Sequence, residues 1–198
     1  MTAAPTTTGT IGRPLDEELS DAILGAAIEL LGEEGYAGLS IAAVAQRAGV
    51  HRPAVYRRWP GKLDLAIGAL RRLKPPPPDR DTGRTRDDLV SYLVDSGYTK
   101  RADQQTQCVL RLHAEMGDEP ELADAVEREI VQPRRRLVHR IVERGIERGE
   151  LRADLDIDLT IDVLQGAIHA RKGKADPILT PAEVERIVDL VLGGAGAA

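Results

Sequence analysis

Apolar residues recur three and four positions apart along nearly the whole chain, and strict alternation is almost absent. That period is the helical one, so the pattern predicts an all-α protein. A first helix is expected over about 16–34, where Leu19, Ile23, Ala26, Ala27, Leu30 and Leu31 share a face and Gly35 follows. Ser40 is a good N-cap for a second helix over 41–48, stopped by Gly49. A short third helix, 51–59, carries Pro53 in its first turn, where a missing N–H does no harm. Pro60-Gly61 breaks it, and a fourth helix runs from Lys62 to about Leu73.

Residues 1–14 are small and polar with Pro and Gly, and predict a disordered arm. The run Pro75–Pro78 and the polar stretch after it predict a stiff linker over 75–85. This divides the chain into a domain over 15–74 and a second over 86–198. Helices are expected in the second near 86–100, 103–117, 120–149, 157–172 and 182–193, with a kink or split at Pro133. Thr180-Pro181-Ala182-Glu183 has the order of a capping box opening the last helix.

Composition narrows the class. Of 198 residues, 42% are hydrophobic and 30% charged, which is usual for a soluble globular chain. Only 3% are aromatic and none is Phe, so the core must be aliphatic. No stretch has the apolar length of a membrane span, the N-terminus has no signal-peptide pattern, and the single cysteine, Cys108, has no internal partner. These features predict a cytoplasmic protein without membrane attachment.

The net charge is −5, but it is unevenly spread. Between Ala43 and Lys74 stand eight basic residues, Arg47, Arg52, Arg57, Arg58, Lys62, Arg71, Arg72 and Lys74, against Asp64 alone. A basic patch on an acidic body is compatible with DNA, because only the facing surface meets phosphate.

Within that patch, Ser40–Lys62 has helix-turn-helix logic. Val44 and Ala45 face inward on the second helix, Ala48 permits close crossing, and Gly49 suits a turn with positive φ. On the third helix, Val55 and Trp59 lie four apart and point to the core, while Arg52 and Tyr56 share a neighbouring face. The outward set suits phosphates and base edges of double-stranded DNA.

Ser40, Val44, Ala45, Ala48, Gly49, Val50, Tyr56, Trp59, Pro60 and Lys62, with Gly35-Tyr36 upstream, resemble the pattern of the TetR family of regulators. The resemblance covers about residues 16–74 closely. It implies an N-terminal three-helix helix-turn-helix DNA-binding domain followed by a helical ligand-binding and dimerisation domain. DNA contacts are then expected from Ser40, His51, Arg52, Ala54, Tyr56, Arg57 and Lys62. Two departures bear on this. His51 stands where the family has a Ser or Thr cap, and Pro53-Ala54 stand where polar residues are common. Arg13, before the first helix, is a candidate for an AT-rich minor groove.

In such a protein the last two helices pair with their mates in a homodimer. The expected interface is Ile161, Leu164, Ala167, Ile168, Val184, Ile187, Val188 and Val191, with a second, small-residue stripe at Val163, Gly166, Ala167 and Ala170. A small-molecule effector would sit among the helices of 86–149. Tyr92, Tyr98, Cys108, His113, Met116 and His139 are the candidate lining residues. An enzyme is the rival class, but no Gly-rich phosphate loop or HExxH is present, and Cys108 and His113 are spaced so that they do not face each other. No cofactor or metal is expected. A helix-turn-helix dimer that binds DNA without an effector remains the alternative.

Overall fold

The computed structural model describes residues 12–97, 108, 111–112, 114–172 and 179–195. Its regular structure there is helical, without a β-strand among the described residues. Helix α1 spans Gly12–Gly38, but Gly35 at φ 75° interrupts it, so the regular part ends where the sequence pattern ends. At its other end α1 starts earlier than the pattern predicts. Gly12, Arg13 and Pro14 belong to its first turn, not to a disordered arm.

Helices α2 (Ile41–Arg47), α3 (Arg52–Tyr56) and α4 (Lys62–Leu73) follow. The Ser40 hydroxyl accepts from the Ala43 N–H at 3.1 Å, as an N-cap should. His51 occupies the N-cap of α3 without a side-chain cap bond, and α3 is one short turn. Gly49 has φ 68° and open space where a Cβ would stand, so its backbone angle, not crowding, demands glycine.

The second half contains α5 (Thr85–Asp95), α6 (Pro120–Val126), α7 (Gln132–Glu147), α8 (Ile157–Lys172) and α9 (Pro181–Ala195). Cys108, Arg111, Leu112, Ala114 and Glu115 are also helical. Between α6 and α7, Glu127–Val131 forms a π-helical turn. Pro133 falls in the first turn of α7, and the wider turn before it accommodates the ring that would clash with a regular preceding turn. The capping box of α9 is present. The Glu183 N–H donates to Thr180 Oγ at 3.2 Å, and the Thr180 N–H donates to Glu183 Oε2 at 3.0 Å.

Two aliphatic cores result, and their division does not follow the chain. The first joins Ile23, Leu31, Leu39, Val55, Leu65 and Leu70 of the N-terminal helices with Cys108, Leu112, Leu122 and Val126 from beyond the linker. The second joins Leu89 and Leu93 of α5, Ile141 of α7, Ile161, Leu164 and Ile168 of α8, and Val184 and Val188 of α9.

The linker is strapped down instead of spanning free. Arg140 and Arg144 of α7 both bind the Asp79 carboxylate at 3.0 Å, and Arg148 binds Asp81 at 3.1 Å. These arginines recur every four residues and therefore form one row. Asp88, itself buried, accepts from both the N–H and the hydroxyl of Thr82 at 2.8 Å. Glu150 caps α5 by accepting from the Thr85 N–H at 2.7 Å. At this joint Gly145 has no room for a side chain, since a Cβ would stand 2.3 Å from Thr85 Oγ1.

Candidate nucleic-acid interface

The first core sets the orientation of α2 and α3. Val44, Ala45 and Val55 are fully or nearly fully buried in it. Trp59 packs half-buried against the same core, and its indole crosses α4 at Gly68. A Cβ at Gly68 would stand 2.5 Å from Trp59 Nε1 and 3.3 Å from Leu24 Cδ2. The glycine is thus what lets the indole lie flat on α4.

Arg58 locks α3 from below. Its Nε donates to Ser20 Oγ at 3.0 Å, its Nη1 donates to the Ala54 carbonyl at 3.1 Å, and it pairs with Asp16. The outward side of α3 differs. His51, Arg52, Tyr56 and Arg57 are exposed, Tyr56 by 52%. Ala54 is half-buried between the two sides. Among the described residues the Arg52 and Arg57 guanidinium groups have no hydrogen-bond or ion-pair partner.

The basic patch of the sequence therefore resolves into two kinds of residue. Arg47 pairs with Glu33 at 2.7 Å, Arg71 with Glu129, and Arg72 with Asp21. Lys74 is half-buried, and burial, aided by the neighbouring Arg134 charge, pulls its pKa down. Lys62 donates to the Ala37 carbonyl at 3.0 Å and lies 4.4 Å from the centre of the Tyr36 ring. One of its three N–H donors is thus engaged within the protein. Ser40 is exposed but its hydroxyl is engaged in the α2 cap. The Arg52 and Arg57 guanidinium groups and the Tyr56 hydroxyl, on α3 and its C-cap, are what this helix presents outward.

The sequence-predicted effector residues do not converge. Tyr92 is buried in the second core. Cys108 is buried in the first, where burial pushes its thiol pKa up to about 11, and Met116 packs against the same core. His139 lies on the outside of α7 with Nδ1 at 3.2 Å from Glu143. Tyr98 and His113 lie outside the described residues. A cleft of about 350 Å³ does open between the two halves, lined by Trp59, Leu63, Arg71, Arg128 and Glu129 among others. It contains none of the predicted residues.

The predicted dimer residues divide in the same way. Ile161, Leu164, Ile168, Val184 and Val188 are buried within the protomer, so they are core and not interface. Ala167, Ile187 and Val191 are half-buried. The exposed apolar surface of α8 and α9 is instead Leu159 at 59%, Val163 at 51% and Leu190 at 80%. Leu159 and Leu190 were not expected, although Leu159 lies four residues before Val163 on the face continued by Gly166 and Ala170. A Cβ at Gly166 would meet nothing within 4 Å, so packing inside the protomer does not require that glycine.

Comparison with known proteins matches residues 23–69 to the family described as bacterial regulatory proteins, tetR family, and residues 79–191 to the tetracyclin repressor-like C-terminal domain. The uncharacterized HTH-type transcriptional regulator Rv1556 of Mycobacterium tuberculosis is 31% identical over 120 residues, which is 59% of this chain and 57% of that protein. YdeS of Bacillus subtilis, also described as an uncharacterized HTH-type transcriptional regulator, is 33% identical over 128 residues, 63% of each chain. The aligned part thus spans less than two thirds of either relative. The crystal structure of the TetR family transcription regulator SCO0332 aligns with TM-score 0.65 and 28% identity, covering 90% of this chain and 98% of that one. Among the described residues no helix is long and apolar enough to cross a membrane.

Proposed function

The chain belongs to the TetR family of bacterial regulators, and from that premise we propose that it is a DNA-binding transcriptional regulator and not an enzyme. It acts as a two-fold homodimer on a near-palindromic operator. The observation that carries the reading is the outward face of α3, where Arg52, Tyr56 and Arg57 stand exposed while Arg47, Arg58, Arg71 and Arg72 are paired with carboxylates of the protein itself. An arginine with a free planar fork can read guanine bidentately, and a phenol can donate to phosphate. His51, at the N-cap of this short helix, and Ala54 within it complete the surface that meets the groove. Ser40 positions α2 through its cap.

The homodimer is supported by the exposed apolar residues of the last two helices, Leu159 and Val163 on α8 and Leu190 on α9. A two-fold axis through these helices would present two copies of α3 to successive major grooves, roughly 34 Å apart. Family membership further supports repression relieved by a small-molecule effector held in the second domain. Such a regulator works in the cytoplasm, where its operator is. A dimer that binds DNA with no effector is the second reading, favoured by the separation of Tyr92, Cys108 and His139, which lie in the second core, in the first core and on the outside of α7.

The test starts with duplexes selected from a random pool by the purified protein, whose affinity is then measured by fluorescence anisotropy over a range of salt. A palindromic consensus bound by two protomers is expected. Selection of no sequence, or of a site bound by one protomer, would refute the reading. A metabolite that raises the melting temperature yet leaves operator affinity unchanged would favour the effector-free alternative.

A further inference from the structure

The turn between α1 and α2 is gripped from both sides. Arg111, in the helical segment beyond the linker, donates from Nη1 to the Gly32 carbonyl at 2.9 Å and also to the Glu33 carbonyl. These belong to the last regular turn of α1, whose carbonyls lack intrahelical partners and carry the negative end of the helix dipole. One helical turn on, Glu115 accepts from the Ala37 N–H at 3.0 Å. Its other carboxylate oxygen would lie 1.9 Å from a Cβ at position 35. The positive φ of Gly35 favours glycine there, and the Glu115 carboxylate occupies the space beside it. From the far side Lys62, the first residue of α4, donates to the carbonyl of the same Ala37 and stacks its charge on Tyr36. Leu112 is buried between these contacts, so the segment that carries the grip packs with the N-terminal helices in one core.

The Ala37 peptide thus has its N–H held by the second half of the chain and its C=O held by α4. Three residues later the chain reaches Ser40 and α2. We propose that Arg111 and Glu115 are positioning residues for DNA recognition, forming a second connection between the effector-side helices and α2–α3, separate from the continuous route through α4 and the linker. A joint displacement of Arg111 and Glu115 would pull on the start of the helix-turn-helix directly, because one holds the end of α1 and the other the Ala37 N–H. This rests on the DNA-binding function proposed above.

The test measures the grip without DNA as well as with it. Spin labels at Gln46→Cys and Glu143→Cys, both exposed positions, report the distance from α2 to α7 within a protomer when labelled chains are diluted with unlabelled ones. Cys108 can stay, since burial keeps its thiol protonated and inaccessible. In Glu115→Ala the distance distribution should broaden, and the Ala37 amide should exchange about tenfold faster or more, the effect of losing one bond to a charged acceptor. Glu115→Gln retains an acceptor for Ala37 and should restore the narrow distribution. Arg111→Met tests the other contact independently and should broaden it as well. On the duplex selected by the wild type, both disruptive variants should bind about three- to thirtyfold more weakly. They should also tolerate one base pair more or less between half-sites.

A distribution as narrow as wild type in both Glu115→Ala and Arg111→Met overturns the proposal, as does broadening that Glu115→Gln fails to reverse. If Glu115→Ala does not fold, an unchanged distribution in Arg111→Met suffices to overturn it. If the wild type selects no duplex while the spectroscopic changes occur, the DNA-binding reading fails and the mechanical connection stands.

Discussion

Two outward faces of this molecule have opposite chemistry. The face of α3 and its C-cap shows the Arg52 and Arg57 guanidinium groups and the Tyr56 phenol, while Arg47, Arg58, Arg71 and Arg72 are paired with carboxylates. On the last two helices, α8 exposes Leu159 and Val163, with Gly166 in open space along the same stripe, and α9 exposes Leu190. Both faces belong to helices whose other side is buried in an aliphatic core, so packing explains neither. What remains unpaired after packing indicates the partner: free forks of donors fit a polyanion with base edges, and an apolar strip fits a copy of itself. The sequence shows every charge and every apolar residue, and only the subtraction of internal contacts separates the two faces.

The comparison breaks most severely at the apolar face. Val163→Asp combined with Leu190→Asp should leave the protomer folded, because both side chains point away from its core. It should abolish dimerisation, since each carboxylate would be buried against its symmetry mate. Loss of two-headed binding should then weaken a palindromic operator by about 10²–10⁴-fold. Sedimentation and anisotropy would check it; a variant that remains a tight dimer moves the interface elsewhere.

At the polar face, Arg52→Ala and Arg57→Ala should each cost about 1–3 kcal/mol on the best operator and relax one base position if the contact is bidentate. Lys62 supplies the contrast. Because its ammonium is bound to Ala37 and Tyr36, Lys62→Met should leave the salt dependence of binding unchanged. A phosphate-contacting cation would lower the slope by about one. A reduced slope in Lys62→Met would place it in the groove.

The surface beneath α3 can be tested through Gly68. Gly68→Ala drives a methyl into the Trp59 indole and should destabilise the protein by about 1–3 kcal/mol, read as a lower melting temperature. Equal stability would mean that Trp59 has another place to go.

The smallest effect is expected in acid. Burial alone would raise Asp79, but hydrogen bonds from Arg144 and Arg140 outweigh it and hold the carboxyl below its usual range. Glu150 behaves likewise, with the Thr85 N–H and Arg148 overcoming its burial. A carboxylate depressed in the folded state contributes stability above its unfolded pKa and loses it as pH falls through the folded one. The melting temperature should therefore drop as pH falls below about 4. Arg144→Met should show a lower neutral value and a shallower acid decline. An identical acid profile would mean that the strap adds nothing measurable.

Much was determined by the sequence alone where the cause is local. The Ser40 cap, the positive φ of Gly49, the break at Pro60-Gly61 and the Thr180–Glu183 box depend on residues within one or two turns, and all are present. The helical spacing of Ile157–Lys172 likewise gave its limits. Tertiary structure decided what depends on distant partners. A row of eight basic residues looked like one surface, but acids elsewhere in the chain pair with four of them, Arg47, Arg58, Arg71 and Arg72. Two apolar stripes on α8 could not be ranked by spacing, because which one is core depends on where α5, α7 and α9 stand. Cys108 and Met116 fell on the expected side of the linker, yet they pack with the N-terminal helices. A helix reports its own period in its sequence; which side of it is left without a partner is a property of all the others.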